Sequence, residues 1–424
     1  MSTHDTHRAI EAVWRIEAAR IIAVVARMVR DVGVAEELAQ DALVAALEKW
    51  PEQGVPDNPA AWLTATAKRR ALDWLRRGQM LERKHDELAY EYELNERVEP
   101  EQEAAADDDI GDSLLRLIFT ACHPVLSPEA RVALTLRLLG GLTTDEIARA
   151  FLVPEPTVAQ RIVRAKRTLT EAKVPFEVPR ADELAGRLGS VLEVIYLVFN
   201  EGYAATAGEH WMRPQLCDEA LRLGRIVAEL MPQEPEAHGL VALMEIQASR
   251  MHARVDAEGQ PILLLEQNRA LWDPLLIRRG LAALARAEAV GGAPGPYALQ
   301  AAIAACHARA HTAGQTDWRR IAALYDALVA VTPSPVVELN RAVAVAMAHG
   351  PAAGLPLVDA LAEVPQLKGY HLLPSVRGDL LTRLGRFAEA EAEFRRAASL
   401  TRNAREQALL LARAGRCAQG AGSS

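Results

Sequence analysis

The run LTTDEIARAFLVPEPTVAQRIVRAKRTL, residues 142–169, carries two helices with a short break between them. Thr143 or Thr144 offers a hydroxyl that caps the first helix. Asp145 and Glu146 then place acids in its first turn, where the helix dipole favours negative charge. Ile147, Ala148 and Phe151 give this short helix an apolar side before Leu152-Val153-Pro154 stops it. Pro156 suits the first turn of the second helix. At about 100° per residue, Val158, Ile162, Ala165 and Leu169 form one narrow apolar stripe. Thr157, Gln160, Arg161, Arg164 and Thr168 take the opposite face, with Arg167 at its edge. Two short helices joined by a tight turn, the second bearing Thr, Gln and Arg, make a helix-turn-helix whose second helix fits the DNA major groove. Arg and Gln read base edges through paired hydrogen bonds, while Lys166, Lys173 and the helix N-terminus grip phosphate. The alternative is an ordinary helical hairpin with a solvated charged face. Caps, turn and stripe in register weigh against it.

Outward from this run, 424 residues exceed what one core holds and point to two or three domains. Half the residues are hydrophobic and a quarter charged, so the chain can bury proper cores. Aromatics are only 5%, while Ala, Leu and Arg recur, a balance that predicts an all-α fold. No apolar run reaches membrane-spanning length, and Met1 to Arg8 is polar with no signal-peptide core, so a cytoplasmic protein without membrane contact is expected. Cys122, Cys217, Cys306 and Cys417 lie far apart, and neither they nor the histidines have metal-ligand spacing. No GxSxG, HExxH, P-loop or dinucleotide fingerprint is present, so no enzyme, cofactor or metal is expected.

The net charge of -8 argues against a nucleic-acid binder until its distribution is read. Residues 79–112 hold thirteen Asp/Glu against three Lys/Arg, a local charge of -10, which leaves +2 for the rest. Local patches set the field that a phosphate backbone meets. The basic residues bunch in two places, Lys68 to Arg77 and Arg161 to Arg167. The sequence thus divides into a first helical block (1–78), an acidic linker (79–112), a second block (113–175) and a helical tail (176–424). Pro175 and Pro179 mark the last boundary.

In the first block Val34–Trp50 reads as a helix with Glu37, Asp41 and Glu48 within about 40° of each other, flanked by Gln40. Carboxylates so spread along a helix suit basic residues of a partner better than one metal ion. A loop over residues 51–59 leads into a second helix over Ala60–Arg77. There Leu63, Ala67, Ala71 and Trp74 face inward. Trp62, Thr66, Arg69, Asp73, Arg76 and Arg77 share the outer face, with Arg70 at its margin. An aromatic beside several arginines suits single-stranded nucleic acid, although Trp62 equally fits packing at the helix start.

Residues 142–169 resemble region 4 of extracytoplasmic-function (ECF) sigma factors. The likeness runs through Gly141-Leu142, Glu146-Ile147-Ala148, Pro154, Thr157-Val158 and Arg164-Ala165, with Leu152 where the turn usually has glycine. Val34–Trp50 is similar to the core-docking helix of sigma region 2, and Pro59–Arg77 to its −10-reading helix. The resemblance implies a promoter-specificity subunit of bacterial RNA polymerase. Glu37, Gln40, Asp41 and Glu48 would dock on the coiled coil of the polymerase β′ subunit. Trp62, Arg69, Arg70, Arg76 and Arg77 would open the −10 element of promoter DNA, with Asp57 and Asn58 at a pocket for a flipped base. Thr157, Gln160, Arg161, Arg164, Lys166 and Arg167 would read the −35 element. The runner-up is a helix-turn-helix repressor or activator with a sensor domain.

The tail repeats a helical-hairpin theme. Gly385–Leu400 resembles a tetratricopeptide half-repeat, with Phe387, Ala390, Phe394 and Ala397 at the packing spacings. Leu216–Met231 and Leu339–Met347 read as degenerate copies. Such repeats bury their faces against neighbours and usually bind a protein or peptide. Val194–Tyr203, Leu263–Asp273 and Gly295–Ile303 fit no plain repeat, and the whole tail resembles the extension of a sigma-factor subgroup with tetratricopeptide-like repeats. Asn200, Glu201 and Tyr203 form either an interface with the sigma regions or, the favoured reading, a local buried network.

Overall fold

The computed structural model describes residues 3–86, 106–151, 153–205, 207–208 and 211–421. Among these residues 18 α-helices and one pair of two-residue strands make up the regular structure, with a few 3-10 turns. The all-α expectation holds. The helices fall into two units, Met1–Ile195 and Tyr196–Ser424.

In the first unit α1 (Thr3–Val29), α2 (Val32–Gln53) and α3 (Pro59–Asp86) pack on one another. Asp31 starts α2, its Oδ1 accepting the N–H groups of Gly33 and Val34 at 2.7 and 3.0 Å. Gly54, at φ 87°, ends it with its N–H on the Trp50 carbonyl. One side of α2 buries Ala35, Ala39, Ala42 and Ala46, whose small side chains let the neighbouring helices approach closely. Ile10, Ile21, Ile22, Trp50 and Leu63 fill the space between. Each such side chain contributes roughly 1.5–3 kcal/mol on burial, which offsets the little that the alanines bring.

Further along, α4 (Ala106–Ala121) packs on α1, and α5 (Pro128–Leu138), α6 (Thr144–Phe151) and α7 (Glu155–Glu171) form the helix-turn-helix block. Thr143 and Glu146 close a capping box: the Thr143 N–H donates to Glu146 Oε2 at 2.8 Å, and the Glu146 N–H to Thr143 Oγ1 at 3.2 Å. Val158, Ile162, Ala165 and Leu169 are all buried, as their stripe requires. Leu152, the departure in the turn, lies outside the described residues.

Two boundaries differ from the sequence reading. Helix α3 continues to Asp86 and α4 begins at Ala106, so both ends of the acidic stretch are helical, while 87–105 lies outside the described residues. The tail begins later than residue 176, because α8 (Ala181–Tyr203) is bonded into the second block. Arg187 Nη2 donates to the Phe119 carbonyl at 3.0 Å and Ser190 Oγ to that of Cys122 at 2.7 Å, and Arg131 Nη1 meets Glu193 Oε2 at 3.1 Å. The last carbonyls of a helix need donors, and α8 supplies them to α4.

In the second unit, α9 (Pro214–Leu230), α10 (Pro235–Ala248), α11 (Pro274–Val290), α12 (Pro296–Arg309) and α13 (Trp318–Val331) each pack on the next. So do α14 (Pro335–His349), α15 (Pro351–Leu361), α16 (Leu372–Arg383), α17 (Phe387–Leu400) and α18 (Ala404–Ala421). Helices α9, α14 and α17 coincide with the three repeat-like stretches. Ala390, Phe394 and Ala397 are buried, and Phe387 packs partly buried beside them. The helices α14 and α15 touch through Gly354, where a Cβ would fall 2.4 Å from that of Ala346. Glu245, deeply buried on α10, accepts Arg225 at 2.9 Å and meets Arg279 at 3.3 Å, joining α9, α10 and α11. Strand β1 (Ala207–Gly208) runs parallel to β2 (Arg402–Asn403).

Candidate nucleic-acid interface

Helix α7 presents Gln160, Val163, Arg164 and Arg167 to solvent in one row. Val163 is 64% exposed, an apolar side chain amid the polar ones. Thr157 and Arg161 are half-buried at the edge of this row. Arg167 Nε meets Glu171 Oε1 at 2.6 Å, an exposed pair of the kind that gives way readily. Lys166 departs from the sequence reading. It borders the apolar stripe and turns toward α2, where its Nζ lies 2.5 Å from Glu36 Oε2. In this arrangement it is not free to grip phosphate.

On α2, Glu37, Asp41 and Glu48 are exposed, as their shared face predicts. Val44 lies about 20° outside their arc on the wheel, next to Glu37, and is 50% exposed; Leu47, about 60° further round, is also exposed. The acidic face is thus bordered on one side by an exposed apolar strip. Val44 and Leu43 line a groove of about 870 Å³ together with Ala12 and Ile16 of α1. Gln40 is half-buried and spends its amide on Glu36 Oε1 at 2.7 Å, so it orders the interior side of α2.

The loop before α3 exposes Asp57 and Asn58, and Asn58 Oδ1 accepts the Ala61 N–H at 3.0 Å, capping α3. Trp62 is half-buried and stands edge-on to Trp50 at 5.4 Å, the packing role that the sequence left open. Arg69, Arg76 and Arg77 are exposed; Arg77 Nε donates to the Asp73 carbonyl at 3.2 Å and Arg76 lies 3.8 Å from the Asp73 carboxylate. Arg70 Nη1 meets Asp41 Oδ2 at 3.1 Å, linking the basic helix to the acidic face. Trp74 was expected inside. It is 38% exposed, whereas Leu63, Ala67 and Ala71 of the same stripe are fully buried. Arg70, Trp74 and Arg77 therefore form a row with an open aromatic. The sequence reading did not single out Val44, Leu47 or Val163, and it placed Trp74 on the inner face. The helical wheel could have supplied Val44, which sits about 20° from Glu37 at the margin of the acids' arc.

Among the described residues no group of His, Cys, Asp or Glu is placed to hold a metal ion, all four cysteines are free and buried, and no helix is long and apolar enough to cross a membrane. In the second unit Arg213 pairs with Glu201, Arg254 donates to the Tyr203 carbonyl, and the Arg254 guanidinium lies 3.5 Å from the centre of the Tyr203 ring. This is the local network that the sequence favoured.

Residues 14–80 match the family model for sigma-70 region 2, and residues 116–169 that for sigma-70 region 4. Over 155 residues the chain is 31% identical to the ECF RNA polymerase sigma factor SigK of Mycobacterium tuberculosis, covering 78% of that protein and 35% of this one. The chain belongs to the ECF sigma factors. This sigma factor carries a further matched segment, residues 187–288, described as a family of unknown function. It is 45% identical over 387 residues to an uncharacterized protein of Rhizobium meliloti, covering 91% of this chain and 90% of that one. It is also 27% identical over 184 residues to a probable ECF RNA polymerase sigma factor, SigI, of Mycobacterium tuberculosis, spanning 43% of this chain and 60% of that protein. No solved structure matches. An ECF sigma factor directs RNA polymerase in transcription initiation, with region 4 as a DNA-binding module. The exposed rows of α2 and α3, and that of α7, lie inside the two matched sigma segments.

Proposed function

We propose that α2 docks this sigma factor on the β′ coiled coil of core polymerase, that α3 opens the −10 element and α7 reads the −35 element. The single observation that carries the reading is the exposed face of α2, with Glu37, Asp41 and Glu48 beside Val44. Acids beside an apolar strip suit a partner helix that carries basic and apolar residues side by side, since the charges steer the encounter and the apolar strip holds it. On α3, phosphate would meet Arg69, Arg76 and Arg77, and an unstacked base would find Trp74. Asp57 stays exposed in the loop before α3, more than about 20 Å along the helix from Trp74, while Asn58 serves as the helix cap. On α7, Gln160 and Arg164 would meet base edges, with Arg167 and Arg161 at the flanks. The protein acts by binding and positioning and has no catalytic chemistry of its own.

The helical extension regulates the sigma regions in cis and takes a protein or peptide ligand. Support comes from a groove of about 830 Å³ in the second unit, lined by Leu264, Trp318, Met347, Val376 and Phe387, with Arg383 and Arg416 among its charged groups.

Core-binding assays test both parts. Glu37→Lys with Asp41→Lys is expected to weaken core binding at least about a hundredfold, since like charges then face the basic partner. Unchanged affinity would remove the docking face. A chain ending at residue 195 is expected to differ from the full chain in core affinity or promoter activity, and equality in both, with and without cell extract, would remove the regulatory role.

A further inference from the structure

Past the end of α10 the chain turns through Arg250 and Arg254, and Arg269 and Trp272 then lead into α11, all within the second unit. The Arg254 guanidinium lies 3.5 Å from the centre of the Tyr203 ring and 5.6 Å from that of Trp211. Arg269 lies 4.8 Å from the centre of the Trp272 ring. Arg250 reaches both groups, 5.7 Å from Tyr203 and 5.8 Å from Trp272. Three guanidinium groups thus gather on a few rings, and among the described residues no carboxylate pairs with any of them.

Arg254 donates to the Tyr203 carbonyl, and Arg269 to the carbonyls of His307 and Ala310 and, at 3.0 Å, to Thr316 Oγ1. The Arg250 guanidinium makes no hydrogen bond within the protein, and its Nε is buried. Arg269 Nε, Trp272 Nε1 and His307 Nδ1 are buried and unpartnered as well. Burial, helped by the charges of Arg250 and Arg269, brings the His307 ring down to about 4. The ring is therefore neutral, and the charge of the cluster stays with the arginines.

Moving a guanidinium out of water costs more than ring contacts return, and close cations repel one another. An oxyanion offsets both, because the arginine fork binds it through paired charge-assisted hydrogen bonds. A phosphate group brings a charge of about −2 and three acceptor oxygens, which answers three arginines better than one carboxylate does. Arg254, Trp272 and His307 are 7%, 5% and 7% exposed, whereas Arg250, Arg269 and Tyr203 are half-buried. The reachable edge is thus narrow and suits a single small group rather than a polymer.

We infer that Arg250, Arg254 and Arg269 form a binding site in the helical extension for the phosphate group of a small molecule. None of the three lines the groove described above, and the inference does not depend on the promoter reading.

Thermal unfolding of the full chain tests the site, with chloride replaced stepwise by inorganic phosphate at constant ionic strength. The unfolding midpoint is expected to rise saturably by about 5 °C or more. Arg250→Gln should weaken the apparent affinity at least about tenfold. Without phosphate its midpoint should be unchanged or higher, since the substitution removes a like charge from Arg254 and Arg269. No rise, or a rise that does not saturate and is equal in Arg250→Gln, is the general effect of phosphate on protein surfaces and overturns the site. A lower midpoint for Arg250→Gln without phosphate makes Arg250 a structural contact and counts against the site. Equilibrium dialysis of the wild-type chain against labelled phosphate needs no variant: saturable binding is expected, and its absence overturns the site. Acetate that displaces the label as well as phosphate does would overturn the phosphate assignment. Displacement by glycerol phosphate in preference to the free ion, or the reverse, tells an ester from inorganic phosphate, and either result upholds the site.

Discussion

Cys122 ends α4 buried beneath α8, sharing a hydrogen bond with Thr135 Oγ1 at 3.3 Å. Burial pushes its thiol up to about 11, and that of Cys217 to about 12. Iodoacetamide at pH 8 is therefore expected to leave both unmodified in the folded protein and to label both in urea, as read by peptide mass. Labelling of either in the native chain would contradict the packing of its helix. Because folding keeps these thiols neutral, their contribution to stability is present below the ordinary thiol value near 9 and is lost as pH rises through the folded values. At this scale the sequence was an uneven guide. Gln160, Arg164 and Arg167 were legible because a regular wheel places them opposite a clean apolar stripe. Lys166 and Glu36 were not, since each borders its stripe and what it faces depends on a helix more than a hundred residues away in the chain.

Among elements, α2, α6 and α7 were legible for local reasons: a shared acidic face, a threonine cap followed by acids, and an unbroken apolar stripe. Helix α3 was misjudged past Ala71, because a stripe predicts burial only while a partner helix covers it. The repeat helices were legible from Phe387, Ala390, Phe394 and Ala397, whereas close crossings such as Gly354 on Ala346 need the partner's position. That crossing yields an expectation. Gly354→Val forces α14 and α15 apart and should destabilise the second unit by about 1–3 kcal/mol. Gly186→Ala in α8, where a Cβ meets nothing within 4 Å, should be neutral or stabilising by about 0.5–1 kcal/mol. Urea midpoints compare the two. Equal effects would mean that the helices do not meet at Gly354.

At the level of the whole molecule, charge is segregated. The acidic stretch at residues 79–112 hides two basic helices inside a chain of net charge -8. Bare duplex DNA is therefore a poor substrate for the free protein at physiological salt, and affinity has to come with core polymerase. The limit of the first unit, at Ile195, was not legible from Pro175 and Pro179, because it depends on hydrogen bonds from Arg187 and Ser190 to the end of α4. The most direct measurement is run-off transcription from candidate promoters, using bacterial core polymerase with and without the purified chain. Discrete start sites that appear only when both are present are the expected result. Tight, specific DNA binding without core, and no initiation with it, would contradict the account and make the chain a free-standing helix-turn-helix regulator.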